Sequence, residues 1–284
     1  MKLPMKTNPF SLNFSSPHIM AVLNVTPDSF FDGGILCDRN NQTNISLALE
    51  KVDSCLKSGA SIIDVGGEST RPGAEPVGVN EELDRVVPVV EAIVERFGAF
   101  VSVDTSSPLV ITESANVGAV MINDVRALSR KGAVEAVAMA DLSVVLMHMN
   151  GEPTNMQLAP SYKDEADEVR SFLLERVGVC ESGGIERKKI FIDPGFGFGK
   201  TLEHNLQLFR SLNKLSESGF PIVVGVSRKS MIGEILGKPL DERLFGSVAL
   251  AMLAVQRGAN IIRVHDVAAT ADVLKVLHAV KEEI

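Results

Sequence analysis

Eight short apolar runs recur along the chain, and each ends in or beside a polar residue. They span 19–24, 61–65, 100–104, 119–123, 143–147, 190–193, 222–226 and 261–264. Runs that are apolar on both faces belong to parallel strands covered by helices. Helical periods lie between them: Ile45, Leu49, Val52 and Leu56; Leu83, Val86, Val90, Ile93 and Phe97 behind Asn80 as N-cap; and Leu244, Val248, Ala251 and Val255. A Gly-Ala pair stands before four of the runs, at Gly59, Gly98, Gly118 and Gly258. Glycine closes a helix in the left-handed conformation, and the next strand starts at once. Polar groups collect at the strand ends, at Asp64, Asp104, Asn123, Arg263 and His265. Eight such units predict an α/β fold, a (β/α)8 TIM barrel with its active site at the C-terminal ends of the strands. A doubly wound open sheet is the alternative.

A length of 284 residues suits one α/β barrel, and no linker or shift in composition divides it. Residues 1–284 are read as a single domain, with residues 1–18 a short segment capping the bottom of the barrel. The net charge of −8, from 28 basic and 36 acidic side chains, argues against a general nucleic-acid binder, which needs a basic face. Cys37, Cys55 and Cys180 show no metal or redox spacing, and their odd number fits a reducing compartment. The N-terminal stretch is not apolar enough for a signal peptide, and no run is long enough to span a membrane. The sequence reads as cytoplasmic.

Two segments break the strand–helix rhythm, 24–44 and 148–162, and both fall on the active face. Loops of that length in a compact domain are commonly functional. The stretch 193–201, DPGFGFGKT, mimics a phosphate loop and fails both tests. The first Walker glycine position holds Pro194, and the third dinucleotide glycine position holds Lys200. In GVSRKS, 225–230, at least one of Arg228 and Lys229 is expected to be solvated. Arg263 and His265 alternate, so they share a face and suit a phosphate. His148 is open to a structural or a functional role; His18, His204 and His278 read as structural or surface residues. No nucleophile–base pair stands out. Asp64, Asp104, Asn123 and Asp193 converge on the mouth instead, where a carboxylate can accept two parallel bonds from the edge of a heterocycle.

These segments together resemble bacterial dihydropteroate synthases. The residues that carry the resemblance are NVTPDSF (24–30), IIDVGGESTRPGA (62–74), VSVDT (101–105), IND (122–124), LMHM (146–149), DPGFGFGK (193–200), GVSRKSMIG (225–233) and IIRVHDV (261–267). They cover nearly the whole chain in order. The resemblance implies a transferase of folate biosynthesis that joins (7,8-dihydropterin-6-yl)methyl diphosphate to 4-aminobenzoate by dissociative substitution. It implies that Asp104, Asn123, Asp193 and Lys229 line a pterin pocket, and that Asn24 helps hold Mg2+. Thr70, Arg71, Arg263 and His265 would face the diphosphate. Phe30, Pro72, Ser227 and Lys229 would shape the aminobenzoate site, and Asp28 would lie near the developing cation. It also implies a homodimer and competition by sulfonamides.

Phe31 departs from the family's usual serine, and 35–44 is longer and more polar than usual. A corrinoid-dependent methyltransferase is the nearest rival, but it has no need of the STRP and SRKS groups. A non-catalytic pterin-binding paralogue is the other, and loss of Asn24, Arg71, Lys229 or Arg263 would have pointed to it.

Overall fold

The structure, a computed structural model, describes residues 13–26, 43–69, 77–151, 156 and 160–281. Its strands are β1 (His18–Asn24), β2 (Ile62–Gly66), β3 (Val101–Asp104), β4 (Met121–Asp124), β5 (Ser143–Met147), β6 (Ile190–Asp193), β7 (Val223–Val224) and β8 (Ile261–Val264). The helices are α1 (Ile45–Lys57), α2 (Val79–Phe97), α3 (Pro108–Asn116), α4 (Ala133–Met139), α5 (Glu165–Ser182), α6 (Leu202–Arg210), α7 (Leu212–Ser216), α8 (Ser230–Leu236), α9 (Leu244–Gln256) and α10 (Val267–Lys281).

Every pairing is parallel, in the order β6-β5-β4-β3-β2-β1-β8-β7. An isolated bridge from Ile192 to Ile222 closes the ring. Each strand thus neighbours its successor in the chain all the way round. A doubly wound sheet would reverse its order at a switch point, so that alternative fails. The (β/α)8 barrel holds.

Side chains two apart on a strand share a face. One face packs outward against the helices: Ile19, Ala21, Leu23, Ile63, Val65, Val101 and Val103 belong to that larger core. The other faces the lumen, where Met20, Ile62, Met121, Phe191 and Ile261 form a separate apolar cluster. Phe14 packs against this cluster, its ring meeting that of Phe191 edge-on at 5.8 Å. Two residues further along the same inner face stand Asp64, Asn123, Asp193 and Arg263. The alternation that builds the core therefore also delivers the polar groups to one end of the barrel.

The four Gly-Ala glycines all have positive φ, from 57° at Gly98 to 108° at Gly118. Three local expectations change. The cap of α2 is Gly78, and Asn80 is already the second residue inside the helix. In α9 the buried face is Ser247, Ala251 and Ala254, because small residues let the helix approach the barrel closely; Leu244, Val248 and Val255 sit at its flanks, half-buried. In α1, Ala48 and Val52 are buried while Ile45 is exposed. β7 is also shorter than its apolar run. It pairs with β8 only at Val223 and Val224, then leaves the ladder at Gly225.

Candidate active site

Arg263 is the hub of the polar end. Its Nε donates to Asp64 Oδ2 at 2.7 Å, and its Nη2 donates to Asp104 Oδ2 at 2.8 Å. Asn123 Nδ2 donates to the same Asp64 oxygen at 3.0 Å. Asp64 is fully buried, so it lies beneath the mouth and orients the groups above it. Strand register explains the convergence: Asn24, Gly66, Asp104 and Asn123 are successive partners across β1 to β4. Burial pushes the Asp104 carboxyl up to about 7 against the pull of Arg263. Burial acts to lower Arg263, but Asp64 and Asp104 outweigh it and its net shift is upward.

The second half of the site comes from β6, β7 and the loops after them. Asp193 ends β6 and accepts the Gly195 N–H at 2.7 Å through Oδ1. Burial raises its pKa, opposed chiefly by Lys229. Lys229 follows the turn after β7, and its Nζ donates to the Phe196 carbonyl while standing 4.6 Å from the Phe198 ring centroid. Burial lowers Lys229 to about 8 although Asp193 favours its charge. The loop 194–200 is pressed against the chain after β5. A Cβ on Gly195 would lie 1.9 Å from the His148 carbonyl oxygen, and one on Gly199 would lie 2.3 Å from that of Asn150. Both glycines also have positive φ, so neither position tolerates a side chain.

The Ser227–Lys229 turn is anchored from below. Arg228 sits in the left-handed region at φ 55° and forks onto Asp266 with bonds of 2.8 and 2.9 Å. Its N–H donates to Ser247 Oγ at 2.9 Å, and its Nη1 donates to the carbonyls of Leu240 and Asp241. Arg228 is buried and meets acceptors distant in sequence, while Lys229 is only half-buried and bonds to the Phe196 carbonyl. Ser227 Oγ accepts the His265 N–H at 3.2 Å and lies 3.1 Å from His265 Nδ1.

Asn24 ends β1 and is half-buried. His148 is buried, edge-on to Phe172 at 5.1 Å and bonded to Lys200. His18 meets Ser61 Oγ and the Asn13 carbonyl, His204 completes the capping box of α6, and His278 is exposed. Asp28, Phe30, Thr70, Arg71 and Pro72 lie outside the described residues, as does Phe31.

Residues 20–265 match the family described as pterin binding enzyme. The dihydropteroate synthase of Escherichia coli (strain K12) is 52% identical over 269 residues, which is 95% of this chain and 93% of that protein. The chain belongs to the dihydropteroate synthase family. Two solved members of the family have the same barrel. The Yersinia pestis dihydropteroate synthase, in complex with a sulfonamide drug, superposes with a TM-score of 0.91 at 50% identity, covering 95% of this chain and 96% of that one. The Xanthomonas albilineans dihydropteroate synthase, with 4-aminobenzoic acid, gives 0.88 at 46% identity, covering 96% of each chain.

Of the residues expected around the mouth, Asp104, Asn123, Asp193, Ser227, Lys229, Arg263 and His265 all lie at or just beyond the C-terminal ends of the strands, where Arg263 bonds Asp104 and His265 bonds Ser227. Sequence reasoning missed the anchoring roles of Arg228 and Lys200 and the closeness of Phe198 to Lys229. The alternation Gly-Phe-Gly-Phe-Gly was the available signal, since aromatics between glycines have room to face a neighbouring cation.

Proposed function

We propose that the chain is a transferase that joins (7,8-dihydropterin-6-yl)methyl diphosphate to 4-aminobenzoate, giving 7,8-dihydropteroate and diphosphate. The observation that carries this reading is the gathering of two unlike sets of groups at one mouth, interleaved through the bonds of Arg263 to Asp64 and Asp104. One set is acids and an amide, Asp104, Asn123 and Asp193; the other is the cations Arg263 and Lys229, with Ser227 and His265 beside them. The first set suits the donor edge of a pterin, and the second suits an anionic leaving group.

In this proposal Asp193 accepts the pterin N3–H and 2-amino group. Oδ1 already takes the Gly195 N–H, and a carboxylate oxygen has a second lone pair to offer. Asp104 and Asn123 line the same pocket, held in place by Arg263 and Asp64. Lys229 and Arg263 keep positive charge near the diphosphate oxygens, with His265 and Ser227 beside them. The bond from the methylene carbon to the diphosphate oxygen breaks, and its electron pair leaves with the diphosphate. The arylamine nitrogen then bonds to that carbon and loses a proton to solvent. An arylamine is already nucleophilic, so no strong base is required, and the work is electrostatic. Asp28, Phe30, Thr70, Arg71 and Pro72 take the roles that the family resemblance gives them.

Mg2+ fits this mouth through Asn24. Its neutral side-chain oxygen lies beside Gly66 and near Asp104: a Cβ on that glycine would stand 3.4 Å from the oxygen and 3.5 Å from Asp104 Cβ. Among the described residues no cluster of three His, Cys, Asp or Glu could cage a metal by itself. One neutral oxygen suits a hard cation whose remaining ligands are substrate oxygens and water. When bound, the ion would neutralise charge on the departing diphosphate.

The chain works as one domain in the cytoplasm in this reading; among the described residues no helix is long and apolar enough to cross a membrane. A homodimer through α8 and α9 is supported by Ile235, Leu236 and Phe245, which are 49%, 44% and 78% exposed. Sulfonamides compete with 4-aminobenzoate. Measuring diphosphate release with and without 4-aminobenzoate tests the whole reading. Release that depends on the arylamine and matches its consumption supports it, and no such release overturns it.

A further inference from the structure

Lys200 is 3% exposed, yet it carries an amine into the wall of the barrel mouth. Its Nζ donates to the carbonyls of Gly195 at 2.9 Å and Phe198 at 3.1 Å, and it lies 2.9 Å from His148 Nδ1. An ammonium has three protons, and these partners use all three. Among the described residues no carboxylate lies within ion-pairing distance of it. Burying an amine this way is unfavourable compared with an apolar side chain, which could pack the same space. Holding two loop carbonyls in fixed places is what the amine adds.

Those two carbonyls belong to the loop that touches the site. Gly195 gives its carbonyl to Lys200 and its N–H to Asp193 Oδ1. Phe198 gives its carbonyl to Lys200 and presents its ring to Lys229 Nζ. Between them, Phe196 accepts a bond from Lys229 Nζ. A Cβ on Gly197 would stand 3.3 Å from Lys229 Cδ, so the lysine stem lies along this loop. The far side of the loop is held by Tyr162, whose hydroxyl donates to the Gly199 carbonyl at 2.8 Å.

We propose that Lys200 is a positioning residue of the transferase: it fixes the loop 195–198 and thereby places Lys229 Nζ over the mouth beside Asp193. It touches no substrate itself. The inference rests on the role given above to Lys229. His148, Tyr162, Asp193 and Lys229 are the titratable groups that face Lys200 from the surrounding elements. Burial, aided by Lys229, lowers Lys200 to about 7, and burial lowers His148 to about 3, which leaves Nδ1 free to accept or donate one bond. The clamp therefore survives loss of the lysine proton. A neutral amine can donate to both carbonyls and accept the Nδ1 proton.

The test is a cycle of Lys200→Met, Lys229→Met and the double variant, with KM for the pterin diphosphate, KM for 4-aminobenzoate and kcat measured for each. Circular dichroism controls for folding. The expected result is a rise of about 10- to 100-fold in the pterin KM for each single variant, matching loss of a charge-assisted bond. The double variant should be no worse than Lys229→Met alone, in the pterin KM and in the 4-aminobenzoate KM alike. Multiplying effects would make Lys200 an independent structural residue and overturn the proposal, as would an unchanged pterin KM in Lys200→Met. Should Lys229→Met itself leave the pterin KM unchanged, the site reading fails instead. Lys200→Gln removes the charge but keeps an amide NH2 with two donors, and carries the same cycle if Lys200→Met does not fold.

Discussion

Arg228 grips Asp266 by two parallel bonds, Nε to Oδ2 at 2.8 Å and Nη2 to Oδ1 at 2.9 Å. Only guanidinium offers that fork. Arg228→Lys keeps the charge but gives up one arm of the fork and the bonds to the carbonyls of Leu240 and Asp241. The expected loss is about 2–3 kcal/mol at roughly 1 kcal/mol per bond. That lowers Tm by about 5–10 °C in a chain of this size. Because the same turn carries Ser227 and Lys229, the pterin KM should rise as well. An unaltered Tm in a melting experiment would make the fork dispensable.

Asp193→Asn preserves size but places an amide donor against ligand donors. A lost charge-assisted bond and a buried mismatch amount to about 2–4 kcal/mol. Pterin affinity should fall by roughly 30- to 1000-fold on the scale of ~1.4 kcal/mol per decade. The retained Oδ1 can still accept the Gly195 N–H, so the loop should stay folded. Titration calorimetry with a pterin reads the effect. Affinity within a few-fold of the parent would move the pocket assignment to Asp104.

Asp104 gives a dependence on pH. Its carboxyl is raised from an ordinary 3.8 to about 7, first by burial and against Arg263. Between those values the folded chain holds a proton that the unfolded chain has released, so stability falls as pH rises through that window. The full effect is at most about 4 kcal/mol. Asp104→Asn removes this slope. Urea unfolding at pH 5 and pH 8 should show the parent losing its advantage over Asp104→Asn at the higher pH. A constant difference would mean that Arg263 keeps Asp104 ionised throughout.

Asn24→Ala takes away the neutral oxygen proposed for Mg2+. The half-saturating Mg2+ concentration for turnover should increase about tenfold or more, the size expected for one ligand of a hard-cation shell. The melting temperature should barely move, since Asn24 is half-buried at a strand end. Turnover unaffected by a chelator in the parent would remove the metal role altogether.

Strand positions were readable because Ile62, Met121 and Ile261 and their outward neighbours are all apolar, a pattern that surface strands do not show. The polar tips at Asp104, Asn123, Asp193 and Arg263 were equally plain. The end of β7 was not, because Gly225 and Val226 continue an apolar run while the backbone has already left the ladder. Asn80 carried a capping side chain, yet Gly78 holds the cap, since the chain is still extended there and turns helical at Val79. Arg228 and Lys200 were illegible for one shared reason. Each has a partner far along the chain, Asp266 at 38 positions and His148 at 52, that only the closed barrel brings near, although Lys200 also bonds the nearby Gly195 and Phe198 carbonyls.

The brevity of β7 bears on motion. Two ladder residues and the isolated bridge at Ile192 and Ile222 join it to the strands on either side. Amides trade hydrogen for deuterium soonest where few bonds must open together. Residues 222–226 should therefore exchange ahead of β1 to β5. The same seam runs straight into Ser227 and Lys229, so breathing of the barrel wall is breathing of the mouth. A ligand that spans Asp193 and Lys229 ties β6 to β7 across the gap, and its arrival should slow exchange along a strand that it never touches.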